Sequence, residues 1–339
     1  MVEEKISFDD IMASLDKETA AQVRIGSSIN RQLVPTASYK LNRLLGGGLR
    51  KGKQHTFWGR EQSAKTAFSL QTVGINQKLG ENVAWIDAEH SFDPEWAYRL
   101  GADPERIALS EVSTIAELTD LQVRLIRKGF DIIVIDSTGA LMPKSFIDKD
   151  GELKEFGETA QMGAVAKDLG QMCKMVQGIN YSTCIIHISQ ARKDIGSSSL
   201  VKPFKAIGGM EVEHTDSLKV RFSAGKTDKQ AIMGKVQRGS LLVEEKIGIS
   251  GTWHIDKNKI NGRYGSGNYD FYIGGDLAGL DYAGELLDEA TRYGIVEASG
   301  AWVKMFGENY NGRPKALVAL RDDEALLEKL RNELDAQPV

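Results

Sequence analysis

The chain has 339 residues, of which 41% are hydrophobic and 27% are charged, as in an ordinary soluble globular protein. No apolar run approaches the roughly 18 residues that a membrane-spanning helix requires, so we expect no membrane partner. The net charge of −4 argues weakly against a nucleic-acid partner, because proteins that bind nucleic acids usually carry a basic face.

The cysteines, the histidines and the first residues give no sign of export or of a metal centre. Cys173 and Cys184 form neither a disulfide framework nor a C-x-x-C pair, and the five histidines lack metal-ligand spacing. The opening MVEEKISFDD lacks the basic-then-apolar pattern of a signal peptide. We therefore expect a protein of the reducing cytoplasm.

Three segments are predicted along the chain. Residues 1–45 resemble a leader, with a short helical pattern in ISFDDIMASL and a helix with a glycine stop in LNRLLGGG. Residues 46–275 form the predicted core domain, and residues 276–339 a small α/β lobe. In the first part of the core, apolar strands alternate with helical patterns; the strands are QHTFW, NVAWIDAEH, DIIVIDS and STCIIHISQ. This alternation predicts an α/β fold with a mostly parallel central sheet.

The second part of the core has a different texture. Ala191–His214 is rich in Ser, Gly and Lys and shows no periodicity, which is typical of a functional or disordered loop. Strand-like segments then follow without intervening helices: SLKVRFS, SLLVEEKIGI, TWHIDKNKI and YDFYIGG. They predict an extension of the sheet by antiparallel strands.

The segment GREQSAKT, Gly59–Thr66, almost matches the phosphate-binding loop G-x-x-x-x-G-K-[ST], with Ala64 in place of the second glycine. The context is right, because the segment follows a predicted strand and opens a predicted helix. Lys65 would reach the β- and γ-phosphates of a nucleotide, and the Thr66 hydroxyl would hold Mg²⁺. Ala64 costs little if its backbone is right-handed helical, and about 1 kcal/mol or more if its φ is positive.

Two carboxylates follow predicted strands and strengthen the prediction of a nucleotide site. Asp136 ends DIIVIDS, where a phosphate-loop enzyme needs an acid near Mg²⁺. Glu89 lies just past WID, where it could orient or deprotonate an attacking water. Because ligands of parallel sheets bind at the carboxyl ends of the strands, both acids would face the same crevice.

The sequence resembles one family, the bacterial RecA recombinases. The resemblance covers roughly residues 40–310 and rests on segments in a fixed order: WIDAEHSFDP, DIIVIDSTGALMPK, HISQARKDIG, AIGG, IDKNKI and GELLDEATRYGIVEASGAW. It implies a RecA-type P-loop ATPase core with ATP and Mg²⁺ as cofactors. The departures in the leader and the loops are consistent with a bacteriophage-encoded member.

The resemblance also implies roles for individual residues at the nucleotide. Glu89, Lys65 and Gln190 would be catalytic, with Gln190 sensing the γ-phosphate, while Thr66 and Asp136 would serve the metal. ATP would be held by Gly59, Arg60, Glu61, Gln62, Ser63, Ala64, Lys65, Thr66, Asp93, Trp96, Lys257 and Lys259. Within this set, Asp93 and Trp96 would contact adenine, and Lys257 and Lys259 would reach the ATP of a neighbouring subunit.

Two DNA-binding loops are implied as well, near residues 156–163 and 191–209. Their contact residues would be Met162, Gly163, Lys167, Lys174, Arg192, Lys193, Ile195, Gly208 and Gly209. The second loop has a local charge of +3 in an acidic protein, which suits contact with phosphates. Asp194 is a departure, since the resemblance leads us to expect a basic residue there.

These observations favour a DNA-dependent ATPase that forms a helical filament on single-stranded DNA, pairs it with homologous duplex DNA and exchanges strands in recombination and repair. Two alternatives remain. One is a motor or remodeller with the same core but without strand exchange. The other is a DNA-binding module whose ATP site has lapsed, which only Ala64 favours.

Overall fold

The computed structural model describes residues 6–23, 25–26, 32–146, 163–193, 204–207, 209–224, 230–274 and 277–338. The chain divides into two compact units, Met1–Gln32 and Leu33–Val339. The described residues of the first unit include two short helices, and each begins with a side-chain cap, from Ser7 and from Asp16. The predicted boundaries at residues 45 and 275 stay predictions.

In the described part of the second unit, helices and strands alternate at first, and several strands then follow one another without a helix between them. The helices of the described chain are α1 (Phe8–Ala13), α2 (Lys17–Gln22), α3 (Tyr39–Leu45), α4 (Lys65–Lys78), α5 (Pro94–Arg99), α6 (Ile115–Lys128), α7 (Ala164–Ile179), α8 (Gly209–Thr215), α9 (Tyr282–Arg292), α10 (Gly312–Asp322) and α11 (Glu324–Asp335). The strands are β1 (Leu33–Val34), β2 (Leu49–Arg50), β3 (Gln54–Gly59), β4 (Val83–Asp87), β5 (Ile107–Glu111), β6 (Ile132–Asp136), β7 (Cys184–Lys193), β8 (Phe204–Ala206), β9 (Leu218–Ala224), β10 (Ala231–Arg238), β11 (Leu241–Asn258), β12 (Ser266–Tyr272), β13 (Gly279–Leu280), β14 (Glu297–Ser299), β15 (Trp302–Met305) and β16 (Glu308–Asn311).

The central sheet has eleven strands within the described residues. Its main order is β13-β12-β11-β9-β3-β7-β6-β4-β5, and β10 and β8 pair at the side with β11 and β7. The pairs from β9 to β5 along this order are all parallel, and β11, β12 and β13 add antiparallel strands. The predicted fold class, a mostly parallel sheet extended by antiparallel strands, is therefore confirmed.

The central parallel strands are buried on both faces, which explains their continuous apolar sequences. Every residue of β3, β4 and β6 is buried. Beneath the end of β3, the Phe57 ring packs edge-on against Phe68 of α4 at 5.3 Å and against Phe222 of β9 at 5.7 Å. These contacts fix the start of α4 against the carboxyl end of β3.

Both cysteines are buried, and burial raises the pKa of Cys173 to about 12.

Some predicted elements differ from the observed ones. SLLVEEKIGI and TWHIDKNKI form one strand, β11, because it pairs continuously with β10, β12 and β9 along its 18 residues. The segment Ala191–His214, predicted to be an aperiodic loop, contains β8 and most of α8. Its ends fold because Ala191 and Lys193 pair with Ala206 and Phe204 in an antiparallel ladder.

The small lobe after the sheet has its own core. Helices α9, α10 and α11 bury Leu286, Leu320 and Leu330 together with residues of β15. Helix α3 joins this core, because Tyr39 is buried in it and its hydroxyl donates to Asp335 at 2.8 Å. In the described part of the chain, every helix is too short or too polar to cross a membrane.

Candidate nucleotide site and DNA loops

The phosphate-loop segment lies between β3 and α4, as its sequence predicts. Gly59 ends β3, and a Cβ at this position would collide with the carbonyl oxygen of Phe222. Lys65 opens α4 with its ammonium buried, donating to the Arg60 carbonyl at 2.7 Å. The Thr66 side chain is exposed. Backbone N–H groups at the amino terminus of a helix bind anions, and here that terminus follows a loop that begins with glycine. The loop and the start of α4 therefore suit a phosphate group.

Burial lowers the pKa of Lys65, and the charges of Asp136, Glu89 and Glu61 oppose that decrease. Lys65 is therefore a desolvated cation with acids around it. A phosphate bound at the loop would place negative charge next to the Lys65 ammonium. This charge would favour the protonated lysine, which burial disfavours.

The Ala64 backbone lies in the left-handed region, with φ 60° and ψ 17°. Of the two possibilities left open by the sequence, the strained one is realised. A side chain with Cβ in this region costs about 1–2 kcal/mol relative to glycine. The loop nevertheless keeps the shape that presents Lys65 and Thr66.

Replacing Ala64 with Gly is expected to raise the free energy of unfolding by about 1 kcal/mol, because glycine adopts positive φ without strain. The measurement is chemical denaturation followed by tryptophan fluorescence. Ala67→Gly is the matched control: Ala67 lies within α4, where glycine should lower stability by about 1 kcal/mol. A loss of stability in Ala64→Gly equal to that in the control would contradict the strain.

The two predicted carboxylates meet at the same edge of the sheet. Strands β4 and β6 pair so that Asp87 lies beside Asp136, and Glu89 follows two residues after Asp87. The Glu89 side chain accepts hydrogen bonds from the Ser137 hydroxyl and, at 2.9 Å, from Gln190 Nε2. Gln190 in turn lies beside Gly59 in the register of β7 with β3. The structure thus brings together Lys65, Glu89, Asp136 and Gln190.

Two residues that hold Glu89 were missed by sequence reasoning. Asp87 is buried and accepts backbone hydrogen bonds from Glu89, Ser91 and Phe92 at 3.2, 2.7 and 2.7 Å. Ser137 is buried and donates to Glu89. A signal was present for Asp87, since it is the acid that ends the apolar run VAWID.

A divalent metal fits this site when few protein side chains hold it and the nucleotide phosphates supply further ligands, as in phosphate-loop enzymes. The described residues contain no cluster of three His, Cys, Asp or Glu side chains able to hold a metal alone. Thr66 and Asp136 are adjacent, and Mg²⁺ typically uses few protein oxygens together with water and phosphate oxygens. The residues therefore fit Mg²⁺ bound jointly with a nucleotide.

Burial raises the pKa of Asp136 to about 7, and a hydrogen bond with the Thr66 side chain opposes part of that increase. Because the metal role predicted for Asp136 requires its ionised form, affinity for Mg²⁺–ATP is expected to weaken as the pH falls below about 7. The limiting slope is about tenfold per pH unit. Isothermal titration calorimetry between pH 5.5 and 8 measures the affinity for Mg²⁺–ATP. Asp136→Asn is the control, because the nucleotide itself titrates equally in both experiments while residue 136 titrates only in the wild type. Parallel pH profiles for the two proteins would contradict this role.

A cavity of about 480 Å³ adjoins the loop. Its lining residues are Gln62, Ser63, Ala64, Lys65, Thr66, Ala67, Trp96, Lys246, Ile249, Phe271 and Ile273. Trp96 packs edge-on against Phe271 at 6.3 Å, so two aromatic rings face this space. Asp93 lies at the start of α5, where its Oδ1 accepts from the Glu95 and Trp96 amides. The residues from β11 and β12 were missed, because nothing in their spacing marks them.

Lys257 and Lys259 lie away from the loop of their own chain. Lys257 pairs with Lys219, which pairs with Thr56, three residues before Gly59. Their ammonium groups donate to the last carbonyls of α8: Lys257 to Glu213, and Lys259 to His214 at 2.7 Å. Burial, followed by the charge of Lys259, lowers the pKa of Lys257 to about 8.

Parts of the two predicted DNA loops are described. Met162, Ile195 and Gly208 lie outside the described residues, as does the side chain of Lys193. Gly163 has φ 91° and precedes α7, where Lys167 and Lys174 are exposed two turns apart. Arg192 is exposed in β7, and Gly209 begins α8. Gln190 lies beside Gly59 at the carboxyl edge of the parallel sheet, and the second predicted loop follows it directly in the chain.

The fold and the site define a class: a P-loop ATPase with a RecA-type sheet. Residues 5–267 match the model of the RecA N-terminal domain. The chain is 30% identical over 342 residues to Protein RecA of Bifidobacterium breve, covering 98% of this chain and 82% of that one. It is 31% identical over 306 residues to Protein RecA of Heliobacterium modesticaldum, covering 89% and 82%. For Protein RecA of Helicobacter pylori the identity is 32% over 320 residues, covering 91% and 85%.

The chain belongs to the RecA family. Proteins of this family are DNA-dependent ATPases that act in homologous recombination and DNA repair by strand exchange, and this chain is an enzyme of that class. The family binds nucleotide and single-stranded DNA and forms filaments.

Proposed function

We propose that this chain binds ATP with Mg²⁺ at Gly59–Thr66, assembles on single-stranded DNA as a helical filament, and pairs that strand with homologous duplex DNA. One observation carries the proposal. The Glu89 carboxylate, which would face the attacking water, accepts a hydrogen bond from Gln190, the residue immediately before the second loop. Binding or hydrolysis of ATP would therefore alter the hydrogen bond between Glu89 and Gln190, and through Gln190 the conformation of the DNA loop that follows it.

The phosphate loop provides the charge and the hydrogen bonds for phosphoryl transfer. Backbone N–H groups of Arg60–Thr66 would surround the phosphates, and Lys65 would neutralise charge on them. Bound Mg²⁺ supplies Lewis-acid polarisation of the phosphate oxygens. Thr66 and Asp136 would hold its shell, and their adjacency supports this assignment.

Glu89 would act as the general base or as the group that orients water. It is exposed, so water can reach it, yet its direction is fixed by Ser137 and by the backbone that Asp87 holds. A carboxylate positioned in this way contributes through orientation as well as proton transfer. Gln190, donating to the same oxygen, would exchange this bond for one to the γ-phosphate when ATP is present.

The cavity beside the loop suits a purine. Trp96 and Phe271 offer aromatic faces and edges, and Ile249 lines the same space. Asp93 keeps one carboxylate oxygen outside its helix cap and could accept from an exocyclic amine. We assign adenine recognition to Asp93 and Trp96 on this basis.

Lys257 and Lys259 would complete the site of a neighbouring subunit. Lys257 lies level with Thr56, three residues before Gly59, which supports action on another protomer's nucleotide rather than on its own. The segment 1–45 would contribute to assembly, the core 46–275 would carry both sites, and the lobe 276–339 would border them.

DNA would be held by residues of both loops and of α7. Arg192, Lys167 and Lys174 are exposed cations, and the second loop is locally basic, which suits phosphate contacts. Met162, Gly163, Lys193, Ile195, Gly208 and Gly209 complete the proposed contact set.

Strand exchange between fluorophore-labelled oligonucleotides tests the proposal. With ATP, Mg²⁺ and a single strand, homologous duplex should exchange while a scrambled duplex of equal composition does not. Exchange should require ATP or a slowly hydrolysed analogue. DNA-stimulated hydrolysis without any exchange of homologous duplex would instead favour a motor or remodeller.

A further inference from the structure

One residue of the phosphate loop contacts the strand that returns from the second DNA loop. The Arg60 guanidinium lies over the Phe204 ring, with its carbon 4.1 Å from the ring centroid. Arg60 is exposed and Phe204 is half-buried. Phe204 begins β8, the short strand that ends the 194–203 segment.

The backbone of the same residue holds the lysine that would bind phosphate. The Arg60 carbonyl accepts from Lys65 Nζ at 2.7 Å and from the Ser63 hydroxyl at 2.7 Å. A phosphate oxygen would compete with this carbonyl for the Lys65 ammonium, and a charged acceptor is the stronger partner. Nucleotide binding would therefore release the Arg60 peptide from one of its two hydrogen bonds.

The surroundings leave room for Arg60 to move. A groove of about 370 Å³ opens beside it, and Ala191 and Phe204 line that groove together with Arg60. Strand β8 is three residues long and pairs only with Ala191–Lys193 among the described strands. A strand of three residues that pairs with one neighbouring strand can shift when its first side chain is displaced.

We propose that Arg60 and Phe204 form a second connection between the nucleotide and the second DNA loop, separate from the contact of Glu89 with Gln190. Arg60 is a positioning residue here. Its carbonyl keeps or loses the hydrogen bond from Lys65 according to whether phosphate is bound, and its side chain contacts Phe204 of β8, so that a movement of Arg60 displaces β8. The inference rests on the proposed function, because it requires that nucleotide and DNA bind to the sites assigned above.

The test compares single-stranded DNA affinity with and without a slowly hydrolysed ATP analogue, by fluorescence anisotropy. The wild type should bind more tightly with the analogue. Arg60→Ala and Phe204→Leu should each reduce this enhancement by about 2- to 5-fold, the value of an exposed cation–π contact. The double variant should lose no more than either single variant, because one contact is removed in all three. Phe204→Tyr, which keeps the ring, should retain the enhancement.

Three outcomes separate the possibilities. Losses that add in the double variant would overturn the proposal, since the residues would then act independently. Equal weakening of DNA binding with and without the analogue would also overturn it, because that is the result of a merely structural role. A wild type whose DNA affinity does not respond to the analogue would instead contradict the proposed function, before any variant is considered.

Discussion

Replacing Glu89 with Gln is expected to lower DNA-stimulated ATP hydrolysis by about 10²–10⁴-fold while ATP still binds. The amide keeps the size of the side chain and can still bond to Ser137 and Gln190. It cannot accept a proton from water, and it carries no charge to orient the nucleophile. Steady-state phosphate release gives the rate, and a fluorescent ATP analogue gives the affinity.

Glu95→Gln is the matched control for this prediction. Glu95 is exposed in the first turn of α5, six residues along the chain, and the substitution makes the same change of charge. It should leave the rate within about twofold of the wild type, as surface substitutions usually do. If both variants hydrolyse ATP at the wild-type rate, Glu89 is not the residue that activates water.

Replacing Phe57 with Ala is expected to lower the free energy of unfolding by about 3–5 kcal/mol. Phe57 is fully buried, and its ring contacts Phe68 and Phe222, so the substitution leaves a cavity between β3, α4 and β9. Since β3 and α4 carry the phosphate loop, affinity for ATP should fall as well. Chemical denaturation followed by circular dichroism measures the change in stability.

Leu79→Ala provides the comparison, because Leu79 is 64% exposed at the end of α4. It should change the free energy of unfolding by about 0.5 kcal/mol or less. A cost for Phe57→Ala as small as that for Leu79→Ala would mean that the aromatic cluster does not form as described.

Strands buried on both faces were predictable from the sequence, whereas two short strands at the margins of the sheet were not. VAWID and IIVID are continuous apolar runs because β4 and β6 lie inside the sheet. Strand β5, IALSE, was missed: it is the edge strand, and three of its five residues are exposed. Strand β8 has no apolar pattern either, and it exists through its pairing with β7.

Candidate-site residues that belong to linear motifs or to the family resemblance were predictable, and several that reach the site through strand register were not. Lys65 and Thr66 are fixed by the loop itself. Ser137 and Phe271 join the site because β6 lies beside β4, and β12 lies beside β11, neither of which local spacing reveals. Ala64 is intermediate: its substitution was visible, but the sign of its φ, which decides its cost, is a property of the folded loop.

Steady-state ATP hydrolysis with and without single-stranded DNA, with Lys65→Ala alongside, tests the coupling of the two sites most directly. We expect strong stimulation by DNA in the wild type and none in the variant, because Glu89 accepts a hydrogen bond from Gln190, the residue immediately before the proposed second DNA loop. A fast rate indifferent to DNA, or no hydrolysis under either condition, would contradict that coupling.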